Sequence, residues 1–145
     1  MEKEPVDTLN ELLKGEHMAL NIYEKVKGIQ QDEEVAHMLD KFEQDHKNHA
    51  EKLSQRIVEL GGEPKGGTGW AGIMADINSI FNSLRGPKEI LKQVYNGEDK
   101  GIHAYEDRID EMDPASQEIV REIMKEDHEH LKWFKDRMEE EKAES

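Results

Sequence analysis

Six residues have the types and spacing to act together: Glu16, His46, His49, Glu98, Asp127 and His130. Carboxylate oxygen with imidazole nitrogen is a ligand set suited to iron, manganese or zinc. The six fall in two matched halves. Gly15-Glu16 with Tyr23-Glu24 recurs 82 residues later as Gly97-Glu98 with Tyr105-Glu106. His46-x-x-His49 follows the first copy and Asp127-x-x-His130 the second, 33 and 32 residues from Glu16 and Glu98 to the last histidine of each. A repeat constrains the whole fold. Residues three apart on a helix share a face, so each pair can converge on one centre. Unpaired carboxylates are costly to bury, and three in one core repel. A dication relieves both effects; a metal-free hydrogen-bonded network is the alternative. In the metal-free form the repulsion predicts that Glu98→Gln is stabilising.

Positioning these residues takes four helices. The first is expected from Thr8 to Lys27, opened by the capping box Thr8-x-x-Glu11, with Leu9, Leu12, Leu13, Glu16, Leu20, Tyr23 and Val26 on one face. The second starts after an N-cap at Asp32 and ends at Gly61-Gly62, its stripe being Val35, Met38, Phe42, His46, His49, Leu53, Ile57 and Leu60. The third begins at Gly86-Pro87, with Leu91, Val94, Glu98, Ile102, Tyr105, Ile109 and Met112 inward. The fourth follows the cap Asp113-Pro114, carries Ile119, Ile123, Asp127, His130, Phe134 and Met138, and is expected to fray over EEEKAES. In every helix a polar residue holds the middle of an apolar stripe. Asp45 and Glu126, one position earlier, replace His46 and Asp127 if the helices are rotated.

The organisation read from this is all-α, one four-helix bundle domain over 1–145. It has a helix pair at 8–60, a long crossover at 61–86 and a helix pair at 87–142. The crossover opens with GGEPKGGTG and carries a short amphipathic helix from Trp70 to Leu84. Such a crossover lets the third helix start at the opposite end of the bundle.

Composition narrows the function. Acidic residues outnumber basic ones 34 to 20, a formal charge of -14. That excludes a nucleic-acid or anionic-membrane surface and suits cations. The absence of cysteine excludes thiolate metal sites, disulfides and cysteine nucleophiles. No apolar run has the length of a membrane span, and Met1-Glu2-Lys3-Glu4 does not open a signal peptide, so a cytoplasmic protein is expected. His17, His37, His103 and His128 fall beside the stripes and are expected at the surface.

The sequence resembles the ferritin-like di-iron carboxylate proteins, the bacterioferritin and rubrerythrin-type four-helix domains in particular. LNELLKGEHMALNIY, HKNHAEKL, GEDKGIHAYE and EDHEHLKWF are similar to the four ligand-bearing helices of that family, while the crossover looks more like an uncharacterised ferritin-like family. The resemblance implies metal ligation by Glu16, His49, Glu98, Asp127 and His130, with His46 in the place of a bridging carboxylate. It implies iron, one or two ions, with manganese or zinc as alternatives, and oxygen or peroxide as reaction partners of a ferroxidase-like oxidoreductase. A non-catalytic structural or stress-response bundle is the other reading, so whether the chain is an enzyme stays open, and no side chain is assigned as catalytic. Lys47 stands where bacterioferritin places its haem methionine, so no haem is expected. A homodimer fits better than a 24-mer cage. Tyr23 and Tyr105 are either partners of the site carboxylates or ordinary core aromatics. Two departures matter: a neutral imidazole cannot bridge two metals as a carboxylate does, and Asp127 is one methylene shorter than the family's Glu. A single metal, or two with one carboxylate bridge, fits.

Overall fold

A computed structural model of the chain describes residues 3–30, 32–65, 79 and 86–144. It contains α1 (Lys3–Lys27), α2 (Glu33–Glu59), α3 (Pro87–Ile109) and α4 (Pro114–Glu144). No strand occurs among the described residues. The short helix expected from Trp70 to Leu84 lies outside them, apart from Ser79.

Local chemistry sets most of the ends. Asp32 caps α2, its carboxylate accepting from the backbone N–H of Glu34 and Val35. At the other end Gly61 takes a positive φ of 84°. The Gly61 N–H then reaches Val58 O and the Gly62 N–H reaches Ile57 O, a Schellman closure. Gly62 packs so closely on Val6 that a Cβ there would lie 2.5 Å from Val6 Cγ1. Pro87 opens α3 behind Gly86, whose φ is 87°. Asp113 caps α4 through Ser116 N and also pairs with Arg56 of α2 at 2.7 Å.

Two expected ends move. Thr8-x-x-Glu11 does not start α1, which begins five residues earlier at Lys3. Val6, in that extra turn, packs on the cluster around Leu9 and Leu53, which holds the turn in place. EEEKAES does not fray before Glu144. Arg137 ties this end of α4 to Asp32 at 2.8 Å and reaches forward to Glu141 at 3.6 Å.

Cross-helix contacts give the directions. Residues 16 and 23 of α1 meet 105 and 98 of α3, so these helices are antiparallel. Lys27 of α1 meets Glu43 of α2, and Glu16 meets His46, so that pair is antiparallel too. Helices α2 and α3 therefore run the same way. Apolar burial is split into two clusters. One holds Tyr23, Val26, Val35, Leu39, Phe42, Leu91, Val94 and Phe134; the other holds Leu9, Leu12, Leu13, Leu53, Ile57, Tyr105, Val120 and Ile123. Burial at roughly 25 cal/mol per Å² makes these clusters the main source of stability. Between them lies a polar layer. Helix periodicity places that layer well but blurs its flanks: Leu39 and Val120 are fully buried, while Leu20, Met38 and Ile119 are only half-buried.

Candidate metal centre

Every helix brings a polar side chain into the layer. Glu16, His46, His49, Glu98, Asp127 and His130 are all buried, none more than 6% exposed. His46 lies in the middle. Its Nδ1 is 2.6 Å from Glu16 Oε2 and its Nε2 is 2.6 Å from Glu98 Oε1. An ionised carboxylate only accepts, so both ring nitrogens donate and the ring is an imidazolium. Potential ligand atoms gather into two groups that share this ring: Glu16, His46 and His49, and His46, Glu98, Asp127 and His130. Within each group they lie within 4.8 Å of one another.

The halves are laced crosswise. Tyr23 of the first half donates to Glu98 of the second. Tyr105 of the second half donates to Glu16 of the first, at 2.8 Å. Asp45 accepts from His130 Nε2 at 2.8 Å, which leaves His130 Nδ1 facing Glu98 at 3.2 Å and Asp127 at 3.6 Å. Glu126 stands 3.4 Å from His49 Nε2, while His49 Nδ1 faces Glu16 at 3.5 Å and Asp127 at 3.7 Å. A carboxylate behind each histidine is the arrangement that orients an imidazole toward a metal and raises its basicity.

Electrostatics separates the three core carboxylates. Burial alone would raise Glu16, but the charge and hydrogen bond of His46, helped by His49, bring it down to about 2. Glu98 is opposed by burial in the same way and is held well below the carboxylate range by His46 and His130. His46 is pushed down by burial and lifted well above its usual value by Glu98 and Glu16. Asp127 goes the other way: burial raises it, and the charges of Glu98 and Glu16 raise it further. Burial and the neighbouring carboxylates also raise Tyr23 and Tyr105, so both phenols stay protonated. Three atoms are left over. His49 Nδ1, His49 Nε2 and Asp127 Oδ1 are buried without a hydrogen-bond partner. Of these, His49 Nδ1 and Asp127 Oδ1 face each other at 3.7 Å, and an imidazole nitrogen beside a carboxylate oxygen, both in want of partners, fits a bound cation.

The layer opens on one side. A groove of about 370 Å³ runs between α1 and α3, with Leu12, Met18, Ile22 and Val94 among its walls and Glu16, His46, Glu98 and Asp127 on its floor. Gly15, Gly97 and Gly101 line it, and a Cβ on any of them would meet nothing within 4 Å.

The family model described as a domain of unknown function (DUF2383) matches residues 4–111, most of the chain. The chain belongs to the DUF2383 family. No curated protein matches it. Solved structures do. This DUF2383 chain is similar to the dodecameric thioferritin of Bacteroides fragilis, a bacterioferritin-related protein, with a TM-score of 0.79 at 20% identity over 99% of this chain and 89% of that one. It is similar to the bacterioferritin of Rhodobacter capsulatus, described with a metal-free dinuclear site and haem iron, with a TM-score of 0.77 at 20% identity over 94% and 84%. For the bacterioferritin of Desulfovibrio desulfuricans, described with a diiron site in different catalytic states, the score is 0.75 at 20% identity over 98% and 82%. The fold of this DUF2383 chain is therefore the ferritin-like four-helix bundle. Among the described residues no helix is long and apolar enough to cross a membrane.

In this DUF2383 fold the six residues singled out by spacing come together in one layer. Asp45 and Glu126 are not substitutes for His46 and Asp127; they stand behind His130 and His49. Their signal was present, since an acidic residue precedes the repeat position in both halves. Tyr23 and Tyr105 are partners of the site carboxylates. Of the four histidines expected at the surface, His37, His103 and His128 are exposed and His17 is half-buried. One buried carboxylate escaped the periodicity: Glu43, held at 2.8 Å by Lys27 at the α1–α2 seam. The repulsion from which Glu98→Gln is expected to stabilise the metal-free form is not what surrounds Glu98, which is paired with His46 and Tyr23 and faces His130 Nδ1. Asp127 is the carboxylate in excess.

Proposed function

We propose that this chain is a ferritin-like metal-binding protein whose bundle core holds iron, with manganese or zinc as alternatives. The observation that carries the reading is the pair of unpartnered buried ligand atoms that face one another in the layer, His49 Nδ1 and Asp127 Oδ1, 3.7 Å apart. Glu16 and His49 would hold a cation on one side of His46. Glu98, Asp127 and His130 would hold one on the other. Asp45 and Glu126 orient the two histidines, and Tyr23 and Tyr105 keep the carboxylates in place while keeping their own protons. A redox-active metal bound there supplies one-electron exchange with oxygen or peroxide. The apolar walls of the α1–α3 groove limit water at the layer, and the net charge of -14 favours approach of cations. The similarity in fold to bacterioferritins supports the reading. It does not by itself carry over their cage assembly or haem.

The test is an anaerobic Fe(II) titration of metal-free protein by calorimetry, repeated with Mn(II) and Zn(II). Wild type binds at least one of these more tightly than micromolar. His49→Ala and His130→Ala each weaken binding sharply, while His17→Ala leaves it unchanged. Binding weaker than micromolar for all three metals sinks the proposal.

A further inference from the structure

We propose that His46 is itself the bridge of a two-metal centre, serving one ion through each ring nitrogen. The proposal rests on the metal-binding reading above and adds that both sides of His46 are filled together and that its ring joins the two ions. Its geometry is specific. Nδ1 belongs to the group with Glu16 and His49; Nε2 belongs to the group with Glu98, Asp127 and His130. His46 is the residue common to both. A ring with one ion on Nε2 alone would leave His49 Nδ1 without a partner on the far side, 3.5 Å from Glu16. A second ion there uses His49, Glu16 and the remaining nitrogen together.

The proton balance is explicit. In the metal-free layer both ring nitrogens donate to carboxylates, so the ring carries two protons. Binding of two dications replaces both, the protons leave to buffer, and the ring becomes an imidazolate with one lone pair toward each ion. Each N···O contact of 2.6 Å must open to roughly 3.0–3.4 Å to admit an ion between its atoms, as two bonds of about 2.1 Å require. That is a side-chain adjustment. The expected metal–metal distance follows from two such bonds and the width of the ring, about 6 Å. Two-metal sites joined through oxygen stand about 3.5–4 Å apart.

Cu(II) is the probe, because an imidazolate couples two Cu(II) spins antiferromagnetically. Metal-free wild type is titrated calorimetrically and followed by electron paramagnetic resonance. The expected result is two ions per chain and a low-temperature signal falling well below that of two independent spins once the second ion binds. X-ray absorption then shows no copper–copper vector at about 3.5–4 Å. His49→Ala, which leaves the Nε2 side intact, holds one ion with the full signal of an isolated spin. His46→Gln abolishes the coupling. One ion per wild-type chain, two uncoupled ions, or coupling that survives in His46→Gln overturns the bridge while leaving the metal-binding reading in place. Failure of wild type to bind Cu(II), Fe(II), Mn(II) or Zn(II) overturns both.

Discussion

Two substitutions in the polar layer, each removing one negative charge, should move the stability of metal-free protein in opposite directions. Glu98 accepts hydrogen bonds from His46 and Tyr23 and faces His130 Nδ1 at 3.2 Å. All three contacts are to Oε1, so Glu98→Gln can keep an acceptor oxygen there but loses the charge that pairs with the His46 imidazolium. Hydrogen bonds to charged groups contribute about 1.5–3 kcal/mol each, and leaving one member of a buried ion pair alone costs about 3–5 kcal/mol. His46 keeps Glu16, so the low end applies and the loss should be about 3 kcal/mol. At about 2–4 °C per kcal/mol for a chain of this size, the melting temperature falls by about 10 °C. Asp127 has the reverse balance. Its Oδ1 has no hydrogen-bond partner, and burial and the neighbouring carboxylates disfavour its charge. Asp127→Asn keeps the shape and removes the repulsion, which should raise the midpoint by about 3 °C, ~1 kcal/mol. The assay is thermal and urea unfolding of chelator-treated protein followed by circular dichroism. Both variants should lose most of the stabilisation that added metal gives wild type. Equal or higher stability of metal-free Glu98→Gln would refute the pairing of Glu98 with His46.

Two further outcomes follow from the same layer. Glu16, brought from 4.5 to about 2, stabilises fully above pH 4.5 and loses that contribution as pH falls toward 2, and Glu98 acts in the same direction. His46, raised well above 6.5, stabilises fully below 6.5 and loses it as pH rises through its folded value; Asp127, raised above 3.8, becomes increasingly destabilising as pH rises above 3.8. Urea midpoints of metal-free protein should therefore peak between pH 4.5 and 6.5, and a maximum at pH 8 would contradict the assignments. The third outcome concerns rate: His46→Glu restores a carboxylate at the bridging position and should accelerate Fe(II) oxidation by oxygen or peroxide under equal iron loading, read by stopped-flow absorbance. Rapid wild-type oxidation that His46→Glu does not increase would contradict the expectation that a carboxylate at this position speeds the reaction.

The site was readable from the sequence because it breaks a rule. Glu16, His46, Glu98 and Asp127 occupy mid-stripe positions where an apolar residue is otherwise required, and the repeat supplies the same break in both halves. Helix ends were readable where a side chain or glycine determines them, at Asp32, Gly61, Pro87 and Asp113. They were not where packing decides, as in the turn around Val6 and the Arg137–Asp32 tie. Partnership inside the layer was also beyond the sequence. Like charges along one face suggest repulsion, but whether a histidine stands between two of them depends on side-chain direction across helices. That is why the spacing alone makes Glu98 look like a repelled group and Asp45 like a spare ligand. Glu43 was hidden for a related reason, since its partner Lys27 lies on another helix.

The most direct test of the central claim is an anomalous-diffraction map from crystals of the Fe(II)-loaded protein, collected anaerobically at the iron edge. Iron in the layer predicts peaks within bonding distance of His49 Nδ1 and His130 Nδ1, flanked by Glu16, Glu98 and Asp127. The His46 contacts to Glu16 and Glu98 should open from 2.6 Å. Peaks confined to exposed acidic residues, with both His46 contacts still at 2.6 Å, would contradict the account.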